Sequence, residues 1–174
     1  MLKEYSEKQE KILYIPSLLY FNYDWELLQD FIKSKGNPLY SIGSNLFLNY
    51  ISIESLGSLH SVEGYLYLEY SDIKSLGSLQ SVGSTLNLME SKIESLGNLK
   101  SVGDSLILAK TSIKSLGNVE SVEGNLDLKD TQIESLGNLK SVGSSLSLVN
   151  TPLSKKYTSE EIGRMVDVGH FIFS

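Results

Sequence analysis

The chain has 174 residues, a formal net charge of −6 and no cysteine. That is one domain's worth of chain, without disulfides or thiolate metal sites, and its acidic balance argues against direct contact with a nucleic-acid backbone or an anionic membrane. No apolar run has the length of a signal peptide or membrane helix, so the expected setting is cytoplasmic.

In chain order, residues 1–40 are aromatic and irregular and read as an N-terminal helical cap. Asp24 can cap a helix through Trp25, Leu27, Leu28, Phe31 and Ile32. Lys33 and Lys35 suit its negative end, and Gly36 with Pro38 stop it. The apolar spacing gives one face to lay on the start of the next region.

Residues 41–155 repeat themselves. Residues 56–75, 76–95, 96–115, 116–135 and 136–155 are five copies of one pattern, and 41–55 is the back part of a sixth. Such self-similarity marks a solenoid, in which each unit buries its apolar face only against its neighbours. Leu106 and Leu108 alternate with outward residues, as strands do, and the pair recurs as Leu46/Leu48, Leu66/Leu68, Leu86/Leu88, Leu126/Leu128 and Leu146/Leu148. Stacked, these strands give a parallel sheet with rungs about 4.8 Å apart. Ile113, Leu116, Val119 and Val122 recur at spacings of three, which predicts a tight extended or 3₁₀-like return. Gly97, Gly117 and their equivalents keep one phase, so a turn there needs positive φ.

Residues 156–174 read as a C-terminal cap. Thr158 and Glu161 form a capping-box pattern before a short helix near residues 160–166, and residues 170–173 suit a closing strand. The expected fold is therefore mainly β: a right-handed parallel β-solenoid of about six 20-residue rungs, with short helical caps.

Residues 20 apart fall into vertical columns. One reads Glu54, Lys74, Glu94, Lys114, Glu134; another Lys100, Glu120, Lys140; a third Glu90, Lys110, Asp130. The signs alternate, as close neighbours require, and this supports 20-residue rungs independently. Serine columns (Ser55 to Ser135 and Ser61 to Ser141) recur once per turn, which structure explains and catalysis does not. His60 and His170 have no visible companion set. No acid, base and nucleophile cluster interrupts the repeat, so neither enzymatic activity nor a cofactor or metal is expected.

Stacking does not dictate the outward strand positions, and these carry the candidate site. They include Phe47 and Asn49; Tyr65, Tyr67 and Glu69; Thr85, Asn87 and Met89; Ile107 and Ala109, with Tyr50 and Tyr70 at the edge of the same face. The first two turns are aromatic, and Phe47 should stack beside Tyr67. Two readings stay open: an exposed interaction face, or aromatics buried beneath Tyr14, Tyr20, Tyr23 and Trp25.

The segment Leu106-x-Leu108-x-x-Thr111-x-Ile113 resembles the leucine-rich-repeat signature over about 115 of the 174 residues. Thr or Ser stands where that signature has asparagine, so a hydroxyl ladder is expected, and a straighter β-helix resembling the receptor L domain is the alternative. The outward aromatic face, in a repeat that carries no chemistry, leads to the expectation of a non-catalytic module that binds a protein partner through Phe47, Asn49, Tyr50, Tyr65, Tyr67, Glu69, Tyr70, Asn87, Met89 and Ile107. Rungs such as residues 95–103, with the Thr151-Pro152-Leu153-Ser154 ending, look like those of small bacterial and phage repeat proteins. That likeness implies a phage inhibitor binding a host defence enzyme, in an anti-CRISPR-like manner. Tyrosines flanked by Asn45, Asn49 and Asn87 leave a glycan-binding module as a further alternative.

Overall fold

The period of 20 residues is realised as a parallel β-solenoid in the computed structural model, which describes residues 12–172. Each turn carries two short strands, and both sets pair residue i with i+20, apart from a register shift that sets Tyr40 opposite Leu59. One ladder runs through Tyr40–Ile42, Leu59–Val62, Ser81–Val82, Ser101–Val102, Ser121–Val122 and the start of Ser141–Ser147. The other runs through Leu46–Phe47, Leu66–Tyr67, Leu86–Asn87, Leu106–Ile107, Leu126–Asp127 and the end of Ser141–Ser147. A third side carries isolated bridges, Ser55 to Ser75 to Ser95 and Ser115 to Ser135. Leu46 and Leu146 lie 100 residues apart, so the second ladder encloses five complete turns rather than about six.

Of the two expected forms of the return segment, the structure has the extended one. It contains the Ser-Val strand, and none of the described repeat residues is 3₁₀ helix. The spacing of three has a different cause. A turn closed by the Val119 N–H on the Leu116 carbonyl (3.2 Å) separates two inward side chains, and its counterparts recur at Leu79, Leu99 and Leu139. Gly117 sits in that turn at φ 57°, as the glycine phase requires. Its N–H donates to Ser115 Oγ at 3.1 Å, so the serine column holds the turns.

The core is a column of fully enclosed leucines: Leu66, Leu86, Leu106, Leu126 and Leu146, with Leu68, Leu88, Leu108, Leu128 and Leu148 beside them. Inward at the asparagine-equivalent site, Ser91, Thr111 and Thr131 each donate their hydroxyl to the carbonyl three residues back, at 2.7 Å. The hydroxyl ladder is thus a set of bonds within turns, which removes the cost of burying a polar group.

Both ends carry caps. At the N-terminus, Leu13–Ile15 pairs in parallel with Tyr40–Ile42, and a 3₁₀ turn (Leu18–Phe21) leads to helix α1, Trp25–Ser34. Asp24 caps α1 by accepting from the Leu27 N–H at 3.0 Å. Trp25, Leu28 and Ile32 are buried, but Leu27 faces solvent at the helix's outer side. Burial pushes the Tyr40 hydroxyl up to about 12, and Gln29 donates to it at 2.9 Å. At the C-terminus, helix α2, Pro152–Lys156, was not anticipated, although Thr151 caps it and Pro152 opens it. The capping box of Thr158 and Glu161 starts α3, which covers Ser159–Gly163 and stops short of residue 166. The closing strand begins earlier than expected, Asp167–Ile172, and lies along the whole of Ser141–Ser147; Phe173 falls outside the described residues. No helix among the described residues is long and apolar enough to cross a membrane.

Candidate functional site

Outward residues of the Leu-x-Leu strands meet where their turns stack. Phe47 lies opposite Tyr67, and their rings touch edge-on with centroids 5.4 Å apart. Tyr65 meets Tyr67 in the same way at 5.8 Å. At the strand's end, Tyr50 and Tyr70 stack face to face, 5.1 Å apart and 3° from parallel. Phe47, Tyr50, Tyr65 and Tyr70 are exposed by 58%, 74%, 40% and 42%, so the aromatic patch is open to solvent among the described residues. The described part of the N-terminal cap, residues 12–40, does not bury it. Trp25 turns into the core, while Tyr14, Tyr20 and Tyr23 are themselves exposed. The cap only borders the patch, along a groove of about 230 Å³ lined by Ser17, Leu18, Tyr23, Ser44, Asn45 and Phe47.

The remaining candidates extend the face and are half-buried: Tyr67, Asn49, Glu69, Asn87, Met89 and Ile107. Asn87 stands between Tyr67 and Ile107 in the ladder. Two outward positions are corrected. Ala109 is buried, being too short to reach past Met89 and Lys129 on either side, and Thr85 is buried with its hydroxyl donating to Asp104 at 2.9 Å. Asn45 and Asn87 spend their side-chain carbonyls on backbone N–H groups of Tyr65 and Met89, both at 3.1 Å. One carboxylate oxygen of Glu69 is enclosed without a hydrogen-bond partner.

Sequence reasoning missed the backbone beneath the tyrosines. The Ser71 N–H closes a turn on the Leu68 carbonyl at 3.3 Å, and this places Tyr70 at φ 56°. Tyr50, Glu90, Lys110, Asp130 and Asn150 occupy the same left-handed position, at φ 55° to 59°. The signal lay in Asp130 and Asn150, the residue types that tolerate this region best. Tyrosine tolerates it poorly, at a cost of about 1 kcal/mol each, and strain of this kind collects at functional sites. The stacked pair returns about 1 kcal/mol. We therefore expect the double variant Tyr50→Asn/Tyr70→Asn to be about 1 kcal/mol more stable than the natural chain. Urea unfolding measures this, and a less stable variant would show that the rings hold the first two turns together.

The charge columns pair as turns stack. Lys74 meets Glu54 at 2.7 Å, Lys110 meets Glu90 at 2.8 Å, and Lys140 meets Glu120. Lys92 and Asp72 add an unforeseen pair at 2.7 Å. The Glu54 carboxylate raises the Lys74 ammonium above its ordinary value, and the hydrogen bond from Lys92 lowers the Asp72 carboxyl. All lie at the surface, where solvent screens them, so they serve register more than stability. The column does not pair throughout. Among the described residues Glu94, Lys114 and Glu134 form no ion pair, and the serine bridges part between Ser95 and Ser115. A cleft of about 530 Å³ opens there, bordered by Glu94, Gly97, Lys114 and Gly117.

His60 is half-buried with its Nδ1 enclosed and unpartnered, and His170 is exposed. Among the described residues no three acidic or histidine side chains form a cluster that would hold a metal ion. Comparison with protein-family models, curated proteins and solved structures finds no significant match.

Proposed function

We propose that this solenoid is a non-catalytic interaction module that binds a protein partner through the face around Phe47, Tyr50, Tyr65, Tyr67 and Tyr70. The observation that carries the reading is the exposed, mutually stacked aromatic patch on an otherwise polar repeat. Exposed tyrosines on a stiff sheet offer large contact area with little rotamer entropy to lose on binding. Asn49, Glu69, Asn87, Met89 and Ile107 form the rim. The leucine-rich-repeat-like character of the rung belongs to this proposal, as does a phage-encoded inhibitor of a host defence enzyme as one form it takes. The protein reading is favoured over a glycan site because Asn45 and Asn87 have their carbonyls engaged by backbone, leaving fewer groups to orient a sugar.

The test is affinity capture from bacterial lysate with mass spectrometry, comparing the natural chain with Phe47→Ala and with a folded Phe47→Ala/Tyr67→Ala variant. A protein bound by the natural chain is expected to lose about tenfold in affinity with Phe47→Ala, as one lost hot spot of ~1.4 kcal/mol implies. Equal retention by all three would remove this face as the interaction site.

A further inference from the structure

We propose that the free strand edge of the first turn, residues 45–49, takes an extended, basic segment of a partner protein as an added β-strand. This rests on the interaction reading above and specifies what that face receives.

The edge is defined by the ladder itself. The N–H groups of Leu46, Leu48 and Tyr50 donate to the carbonyls of Tyr65, Tyr67 and Glu69, at 2.8, 2.8 and 3.1 Å. In a pleated strand the intervening residues direct their N–H and C=O the other way. Asn45, Phe47 and Asn49 therefore present theirs away from the second turn, and Leu46–Phe47 is the terminal strand of the sheet. Among the described residues, only the Ser44 hydroxyl approaches this row, donating to the Asn45 carbonyl at 3.4 Å. The ends of the two main ladders differ: Leu13–Ile15 adds a strand to Tyr40–Ile42 and Asp167–Ile172 adds one to both halves of Ser141–Ser147, whereas no described strand is added to Leu46–Phe47. Open edges invite pairing and proteins usually cover them. Among the described residues this one is left open where Phe47 and Tyr50 are most exposed, beside the groove that reaches Leu18 and Tyr23.

Strand addition uses main-chain bonds for affinity and side-chain pockets for selection. The charge distribution selects the occupant. Residues 12–75, the cap and the first two turns, hold seven acidic side chains against three lysines, with Glu54 and Asp72 paired to Lys74 and Lys92, whereas residues 76–172 hold eleven acidic against nine basic. Four of the six net negative charges thus lie on the turns and cap that flank the edge. A second copy of this chain would bring the same acidic turns to the same edge, so a basic partner is favoured.

The experiment combines amide hydrogen exchange of the full chain with three eight-residue peptides. One alternates lysine and valine, one alternates glutamate and valine, and one is the lysine peptide with N-methyl groups on every backbone nitrogen. The Phe47 and Asn49 amides are expected to exchange freely in the unbound chain and to be protected at least tenfold by the lysine peptide. The glutamate and N-methylated peptides are expected to bind at least tenfold more weakly. Slow exchange in the unbound chain would show the edge already covered, and concentration-dependent protection without peptide would put a second copy there; either overturns the proposal. If the N-methylated peptide binds as well as its parent while Phe47→Ala/Tyr67→Ala weakens both, strand addition fails and the aromatic face stands. If that double variant binds the peptides as the natural chain does, the face itself fails.

Discussion

Leu106→Ala is expected to lower the unfolding free energy by about 2–5 kcal/mol. Leu106 is fully enclosed and pairs in register with Leu86 below and Leu126 above. Truncation removes contacts with both neighbouring turns at once, and neither can slide inward, because each is pinned by its own backbone bonds. Leu86 and Leu88 donate N–H groups to Ser105 and Ile107 at 2.9 and 2.8 Å, while Leu106 and Leu108 donate onward to Asn125 and Asp127 at 2.8 and 2.9 Å. A cavity that cannot collapse retains its full cost. A solenoid's stability is close to a sum over nearest-neighbour interfaces, so a defect in a central turn also weakens the coupling of the two halves. Urea unfolding followed by circular dichroism gives the size of the loss. Amide exchange shows whether the first two turns then open separately from the last two. A loss below about 1 kcal/mol would mean the leucine column is not the source of stability.

Gly103→Ala is expected to cost about 1–3 kcal/mol, and more than Gly117→Ala. The two glycines serve different needs. A Cβ on Gly103 would meet the backbone carbonyl of Gly83 well inside contact distance, and backbone held by a ladder on both sides cannot give way. Gly103 is not in the left-handed region, so the cost is steric overlap between turns. Gly117 is the reverse: φ is 57°, but nothing lies within 4 Å of its would-be Cβ. The chain already places Tyr50, Tyr70, Glu90, Lys110, Asp130 and Asn150 in the left-handed region, so that backbone alone is affordable at about 1 kcal/mol. Thermal unfolding of the two single variants tests the order. If Gly117→Ala were the more damaging, conformation rather than inter-turn distance would set the glycine pattern.

The same glycines show what the sequence left illegible. One glycine phase was read as a turn needing positive φ, and the turn at Gly57, Gly77, Gly97, Gly117 and Gly137 has it. The other phase shifts between neighbouring sites, Gly64 and Gly124 against Gly83, Gly103 and Gly143, and no local rule accounts for that. Both sites are crowded by the turn beneath: Gly83, Gly103 and Gly143 by a backbone carbonyl 20 residues back, Gly64 and Gly124 by the side chain and backbone around Asn45 and Asp104. The left-handed tyrosines escaped for a similar reason. Tyr50 and Tyr70 look like ordinary outward aromatics until the turn that carries them is drawn. The aromatic face was legible as composition, whereas its openness depended on where α1 laid its buried side.

The sequence by itself determined the period, the parallel register, the leucine column and the order of cap, repeat and cap. These follow from periodicity, because a residue and its equivalent one turn later must meet in any solenoid with that repeat. Capping of α1 by Asp24 and of α3 by Thr158 was equally local, since a side chain bonding an N–H three residues on needs no distant partner. Only the tertiary structure decided the second ladder through the Ser-Val strands, the parting of the serine bridges between Ser95 and Ser115, and the open edge at residues 45–49. Each depends on how closely whole turns approach one another, a distance set by every side chain between them and by no one stretch of sequence.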